Sequence, residues 1–389
     1  FNQHGVNQAN YTKYTRCCSK VYRRSHTATS NARETYSTVF HDLLTQIFQL
    51  VDSERYRVIV SSTTSSGAHP SVGSTAYSLE FFCLSASVAM EQLHRSQCRS
   101  IVLTSGTLTP LENIPVELNT PFPVVLTNSH IIDSKKQLCG FILECGVHSI
   151  PLCGTFDNRS NATYLQSLGL SILNVLRQTP SGILVFFPSY TSMDAALQFW
   201  GLLTSHDTTA DAELPTLPNS LLHRMQQFKD LFVEPRGGGF HAVMERFRTH
   251  ANDRGATLFG VCRGKASEGF DFTDALARAV VIVGIPFANR NDPKVQLRAQ
   301  YWDHRARRLD TTFDGRRWMF LHAFRAINQA VGRAIRHRDD YGAVILADIR
   351  FKQATCMQYL ASWLRHDIVP TSHFALLMGS LVKFFQAQR

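Results

Sequence analysis

The 389-residue chain has no run of 18 apolar residues, so the sequence predicts no membrane-spanning helix. It has no C-x-x-C pair among nine cysteines, and an odd count fits poorly with a closed disulfide framework. His148 lies between Cys145 and Cys153, but the irregular spacing argues against a zinc site, and no metal ligand is assigned. Reduced cysteines point to a reducing compartment. The opening FNQHGVNQANYTKYT lacks the apolar core and cleavage site of a signal peptide. It does not start at Met, and the sequence reads as a piece of a longer chain. Acidic residues are scarce beside basic ones: 30 against 40 gives a formal net charge of +10, which favours an anionic partner.

What is present describes a globular protein, with 44% hydrophobic and 18% charged residues. Continuous apolar runs at 182–188, 256–262, 279–287 and 343–351 alternate with amphipathic stretches at 193–203, 220–232 and 242–252. Strands of that kind, buried on both faces and separated by helices, predict a parallel sheet in an α/β fold. Ser100–Leu103 predicts a further buried strand, and 123–128 and 138–146 further β-like pieces. The segment 1–76 differs: a basic stretch, an amphipathic helix over Phe40–Leu50, then a Ser/Thr/Gly-rich linker. The tail from Ser372 predicts a packing helix.

The stretch Leu321–Phe351 predicts a helix, a turn and a buried strand. At about 100° per residue, Arg325, Gln329, Arg333 and Arg336 fall on one helical face, with Phe324, Ile327, Val331 and Ile335 opposite. A cationic face without interleaved glutamates suits a row of anionic oxygens, or is a solvated basic face. Loops after the predicted strands carry hydroxyls, glycines and charge: TSGTLTP at 104–110, PSYT at 188–191 and RGKASEGFDF at 263–272. Hydroxyls and backbone N–H groups there satisfy phosphate oxygens without reading base identity. Glu268 and Asp271 suit a ribose hydroxyl, a neighbouring arginine or a metal-bound water. VEPRGGGFH reads as a hinge.

Taken in order, TSGTLTP, FFPSY, VEPRGG, VCRGKASEGFDF, VGIPF and QAVGRAIRHRDDYGAVILADIRF resemble the C-terminal motor half of XPD-like iron–sulfur superfamily 2 DNA helicases. The nearest branch holds the Fanconi anaemia group J helicase and the telomere-length regulator RTEL. The resemblance implies a RecA-like parallel sheet with helices on both faces. Residues 1–76 would be the end of the Arch insertion, 77–118 the last part of the first RecA-like domain, and 119–389 the second. It implies an ATP-dependent 5′ to 3′ DNA helicase, nuclear, that uses ATP and Mg2+ and binds single-stranded and forked DNA.

By the same resemblance, Arg333 and Arg336 are arginine fingers and Gln329 orders the γ-phosphate region. Glu268, Gly269, Asp271 and Gly106 face the nucleotide. Thr104, Ser105 and Thr107 couple the two domains, and Ser189, Tyr190, Arg263, Lys265 and Ser267 face DNA. The sequence holds no G-x-x-x-x-G-K-[ST] loop and no Asp-Glu-x-His block. ATP and a 4Fe–4S cluster are therefore expected in a preceding half, and this chain alone is expected to be inactive. The alternatives are a non-catalytic nucleic-acid-binding module and a helicase directed at RNA or hybrids, which backbone-contacting motifs do not separate from DNA.

Overall fold

The computed structural model describes residues 54–64, 75–105, 108–128, 132–203, 214–267 and 270–388. Gly106, Thr107, Glu268, Gly269, the expected helix over Phe40–Leu50 and most of the Ser/Thr-rich linker lie outside the described residues. The chain divides into two compact units. One is Phe1–Arg99 with Glu117–Thr120; the other is Ser100–Val116 with Pro121–Arg389. Residues 100–116 thus group with the larger unit, where the sequence had suggested a block at 77–118. In the smaller unit, β1 (Tyr56–Thr64) pairs antiparallel with β2 (Thr75–Cys83), and α1 (Ser87–Arg95) follows. The Arg55 guanidinium meets the Glu91 carboxylate there.

The larger unit is built on seven strands: β3 (Leu138–Leu143), β4 (Ile183–Phe187), β5 (Asp230–Val233), β6 (Ala256–Val261), β7 (Ala279–Val283), β8 (Gly342–Ala347) and β9 (Val369–Thr371). Their order is β5-β6-β4-β7-β8-β3-β9, and every pairing is parallel. Its longer helices are α2 (Ala162–Gln178), α3 (Tyr190–Phe199), α4 (Leu221–Gln226), α5 (Phe240–Asn252), α6 (Pro293–Leu309), α7 (Gly315–Val331) and α8 (Phe374–Ala387).

Alternation along each strand feeds two cores. Leu184 and Phe186 join the layer with α5, α6 and α7, and Ile183, Val185 and Phe187 join the layer with α2, α3 and α8. This is the expected doubly covered parallel sheet, and the C-terminal tail is a packing helix that buries Leu377, Leu381 and Phe385. No helix among the described residues is long and apolar enough to cross a membrane.

Three expected elements differ. Residues 101–105 form no strand, and Val102 is 80% exposed; among the described residues no strand pairs with them, and a strand without a ladder has nothing to hold it. The apolar piece 123–128 likewise forms no strand among the described residues, with Val124, Val125 and Leu126 exposed. The helix expected over 220–232 stops at Gln226, because Asp230–Val233 is claimed by β6 as an edge strand.

Candidate nucleotide and nucleic-acid interface

Because the strands are parallel, their carboxyl ends share one edge, where the loops of an α/β sheet gather. At the exit of β4, Ser189 is extended and caps α3, its Oγ accepting from Ser192 N at 3.2 Å. Tyr190 donates its Oη to Glu234 Oε1 at 2.9 Å. Burial first, then the Glu234 charge, pushes the phenol well above its ordinary range, so it serves as a neutral donor. Arg236 pairs with Asp194 and lies 5.4 Å from the centre of the Tyr190 ring.

Glu234 closes β5 and is fully buried. Its carboxylate accepts from Lys265 N at 2.6 Å and Val261 N at 3.0 Å besides the phenol. In the VEPRGGGFH run, which reads as a hinge, the glutamate binds three strand exits together. Gly239 keeps the left-handed backbone (φ 79°) that starts α5.

The loop after β6 must pass β4 to reach β7, two places along the sheet. Arg263 sits at φ 68°, a costly conformation for a branched-chain-free but non-glycine residue, and donates to the Pro286 carbonyl at 3.2 Å. Lys265 Nζ donates to the Gly237 carbonyl. Ser267 is buried and its hydroxyl donates to the Gly264 carbonyl at 2.9 Å, so this expected phosphate contact faces inward and shapes the loop. Phe272, buried among α5 residues, anchors the far end.

The arginines meet that far end from the other side. The helix α7 ends at Val331, with Gly332 at its C-cap. Arg333 and Arg336 therefore leave the helix, and the expectation that they continue its cationic face is corrected. Glycine is a poor helix former, and a competing set of bonds turns the backbone: Asp340, buried, accepts from Arg336 N and Tyr341 N, each at 2.9 Å. Arg278 Nη1 completes this anchor on Asp340 at 2.7 Å. Gln329 stays on α7, exposed, while Phe324, Ile327, Val331 and Ile335 are buried as expected.

Arg333 donates to the carbonyls of Ser267 (2.6 Å) and Phe270. Arg336 pairs through Nε with Asp271 at 3.1 Å, its side chain 32% exposed and that of Asp271 67%. Two guanidinium groups and one carboxylate thus converge on the 267–271 loop. Thr104 and Ser105 lie in an exposed stretch without regular structure.

Metal and cluster chemistry find little support in these side chains. Asp274, His337 and Asp340 bring three potential ligand atoms together, but the Arg278 guanidinium already lies 3.7 Å from Asp274 and 2.7 Å from Asp340. Among the described residues no cysteine belongs to such a group, and burial pushes the Cys139 and Cys262 thiols up to about 12.

A model of the helicase C-terminal domain matches residues 172–367. The regulator of telomere elongation helicase 1 homologue of Drosophila ananassae is 40% identical over 321 residues, covering 81% of this chain and 31% of that protein. The Rattus norvegicus protein of that name is 38% identical, covering 79% and 23%, and the Arabidopsis thaliana homologue 35%, covering 90% and 34%. The chain thus spans about a quarter to a third of these relatives' length. A solved XPD helicase structure superimposes with a TM-score of 0.50 at 22% identity, over 76% of this chain and 48% of that one. The chain therefore belongs to the helicase C-terminal domain family; it is similar in sequence to the telomere elongation helicase regulators and shares its fold with the XPD helicase.

Proposed function

We propose that this chain is the C-terminal motor half of an ATP-dependent DNA helicase moving 5′ to 3′, in which Arg333 and Arg336 meet ATP held by a preceding domain. The observation that carries this reading is the meeting of the 267–271 loop with both arginines. One loop then feels DNA at its start and nucleotide at its end. Single-stranded DNA runs along the strand-exit edge, past the start of α3 at Ser189 and Tyr190 and past Arg263 and Lys265. Gln329 and Asp271 line the nucleotide side, with Glu268, Gly269 and Gly106, and Thr104, Ser105 and Thr107 couple it to the preceding domain. Mg2+ neutralises phosphate charge in such chemistry, and its ligands belong to motifs outside this sequence. The telomere elongation in the names of its relatives supports a nuclear location.

Arg336 is the cleaner finger, because its guanidinium is held by an exposed carboxylate that a phosphate can replace. Charge stabilisation of this kind is worth about 10³–10⁵ in rate. Arg336→Ala in the full-length protein is expected to lower DNA-stimulated ATP turnover about 10³-fold while oligonucleotide affinity changes little. Retained turnover sinks the finger assignment. DNA binding without turnover in the unaltered full-length protein favours the non-catalytic module.

A further inference from the structure

Glu234 is a carboxylate with no exposure at all, and the nucleotide chemistry above does not use it. Three neutral donors converge on it. Lys265 N and Tyr190 Oη share Oε1, at 2.6 and 2.9 Å, and Val261 N binds Oε2 at 3.0 Å. Its own N–H is fixed to the Phe259 carbonyl at 2.8 Å, so the backbone that carries it belongs to the sheet. The surroundings are cut to fit: a Cβ on Gly264 would lie 2.7 Å from Oε2 and closer still to Oε1, and one on Gly260 would lie 2.9 Å from Oε2. The loop therefore has glycine at 264 because a carboxylate fills the space a side chain would need.

We infer that Glu234 is a positioning residue for DNA binding: through its hydrogen bonds to Val261, Lys265 and Tyr190 it fixes the exits of β4 and β6 in the arrangement that receives the phosphate backbone. The inference rests on the motor reading for its DNA and stands on the hydrogen bonds for its geometry. A glutamine in its place is nearly isosteric but has one acceptor oxygen. Its NH2 group must face either the Val261 N–H or the Lys265 and Tyr190 donors, and the loop start is released on that side.

The test uses the full-length protein and Glu234→Gln, read by hydrogen exchange and by ATP turnover with a single-stranded oligonucleotide. Protection of the Val261 and Lys265 amides is expected to fall about ten-fold, and the half-saturating oligonucleotide concentration to rise about ten-fold. The half-saturating ATP concentration is expected to stay within about two-fold, since the far end of the loop keeps Arg333. Gly264→Ala should reproduce this pattern, and Tyr190→Phe, which leaves both amide bonds in place, should raise the oligonucleotide constant about three-fold.

Unchanged protection and DNA constant overturn the inference. So does a parallel rise in both constants with a lowered unfolding midpoint, which marks a purely structural glutamate. If Glu234→Gln does not accumulate as folded protein, an unchanged DNA constant in Tyr190→Phe overturns it instead. Unaltered protein without DNA-stimulated turnover sinks the motor reading, and the amide protection then decides the positioning claim by itself.

Discussion

The loop from Cys262 to Phe272 is held at its two ends by opposite chemistries. At its start a carboxylate, Glu234, receives backbone N–H groups; at its end a guanidinium, Arg333, donates to backbone carbonyls. The first anchor is fully buried and fixed to β5, so nothing from solvent can displace it. The second is half-buried and stands beside Arg336 and Asp271, an exposed pair worth little in water and readily exchanged for a phosphate. The proposed motor function needs this asymmetry. On that reading one end keeps its shape through every cycle, and the other changes partner when nucleotide arrives.

The largest expected effect lies beneath the exchangeable end. Asp340 and Arg278 form a buried ion pair, with Arg278 also 4.0 Å from the centre of the Tyr341 ring, and Asp340 holds the amide of Arg336. Asp340→Ala leaves the Arg278 charge without its buried partner. Breaking such a pair costs about 3–5 kcal/mol, to be read from urea unfolding of the full-length protein. A loss below about 1 kcal/mol would mean that the finger segment does not depend on this base.

A second experiment contrasts the two ends of β5. Glu234 closes the strand with three donors, whereas Lys229, just before it, is buried with its Nζ donating to the Ser181 carbonyl at 2.6 Å. Burial lowers the lysine pKa to about 8 from 10.5. The unfolded chain then binds more protons between those two values, so stability should rise as pH climbs from about 8 to about 10.5. The contribution is roughly 3 kcal/mol at most, and Lys229→Met should flatten that part of the pH profile. An equal slope in wild type and variant would show that the amine keeps its charge at no cost.

These contrasts also mark what the sequence could reveal. The strands 183–187, 256–261, 279–283 and 342–347 were legible because a strand buried on both faces is a continuous apolar run. Asp230–Val233 was not, since four residues following a helical pattern extend its periodicity as easily as they start a strand. Ser100–Leu103 carried a strand's composition, but among the described residues no strand pairs with it. The arginine motif singled out Arg333 and Arg336 but extended their helix too far: periodicity runs on past Gly332, while the backbone turns to satisfy Asp340. The VEPRGG block drew attention to the stretch around Glu234 but not to its role, because its burial depends on β4 and β6 arriving beside it.

Arg333→Ala separates anchoring from chemistry at the exchangeable end. It strips donors from the Ser267 and Phe270 carbonyls, so stability should fall by about 1–3 kcal/mol along with turnover. Arg336→Ala should lower turnover with stability nearly unchanged. Equal stability losses in the two variants would erase the distinction between an anchor and a finger.

The smallest effect on stability belongs to Asp271→Asn. Its carboxylate is 67% exposed and its bond to Arg336 is a single surface contact, so unfolding should change by less than about 0.5 kcal/mol. Its effect on function is more informative. If Asp271 only parks Arg336 until nucleotide arrives, removing its charge releases the guanidinium, and the half-saturating ATP concentration should fall or stay level. If Asp271 itself holds the ribose or a metal-bound water, that concentration should rise. The direction of one constant therefore decides whether the acid in this loop serves the arginine or the nucleotide.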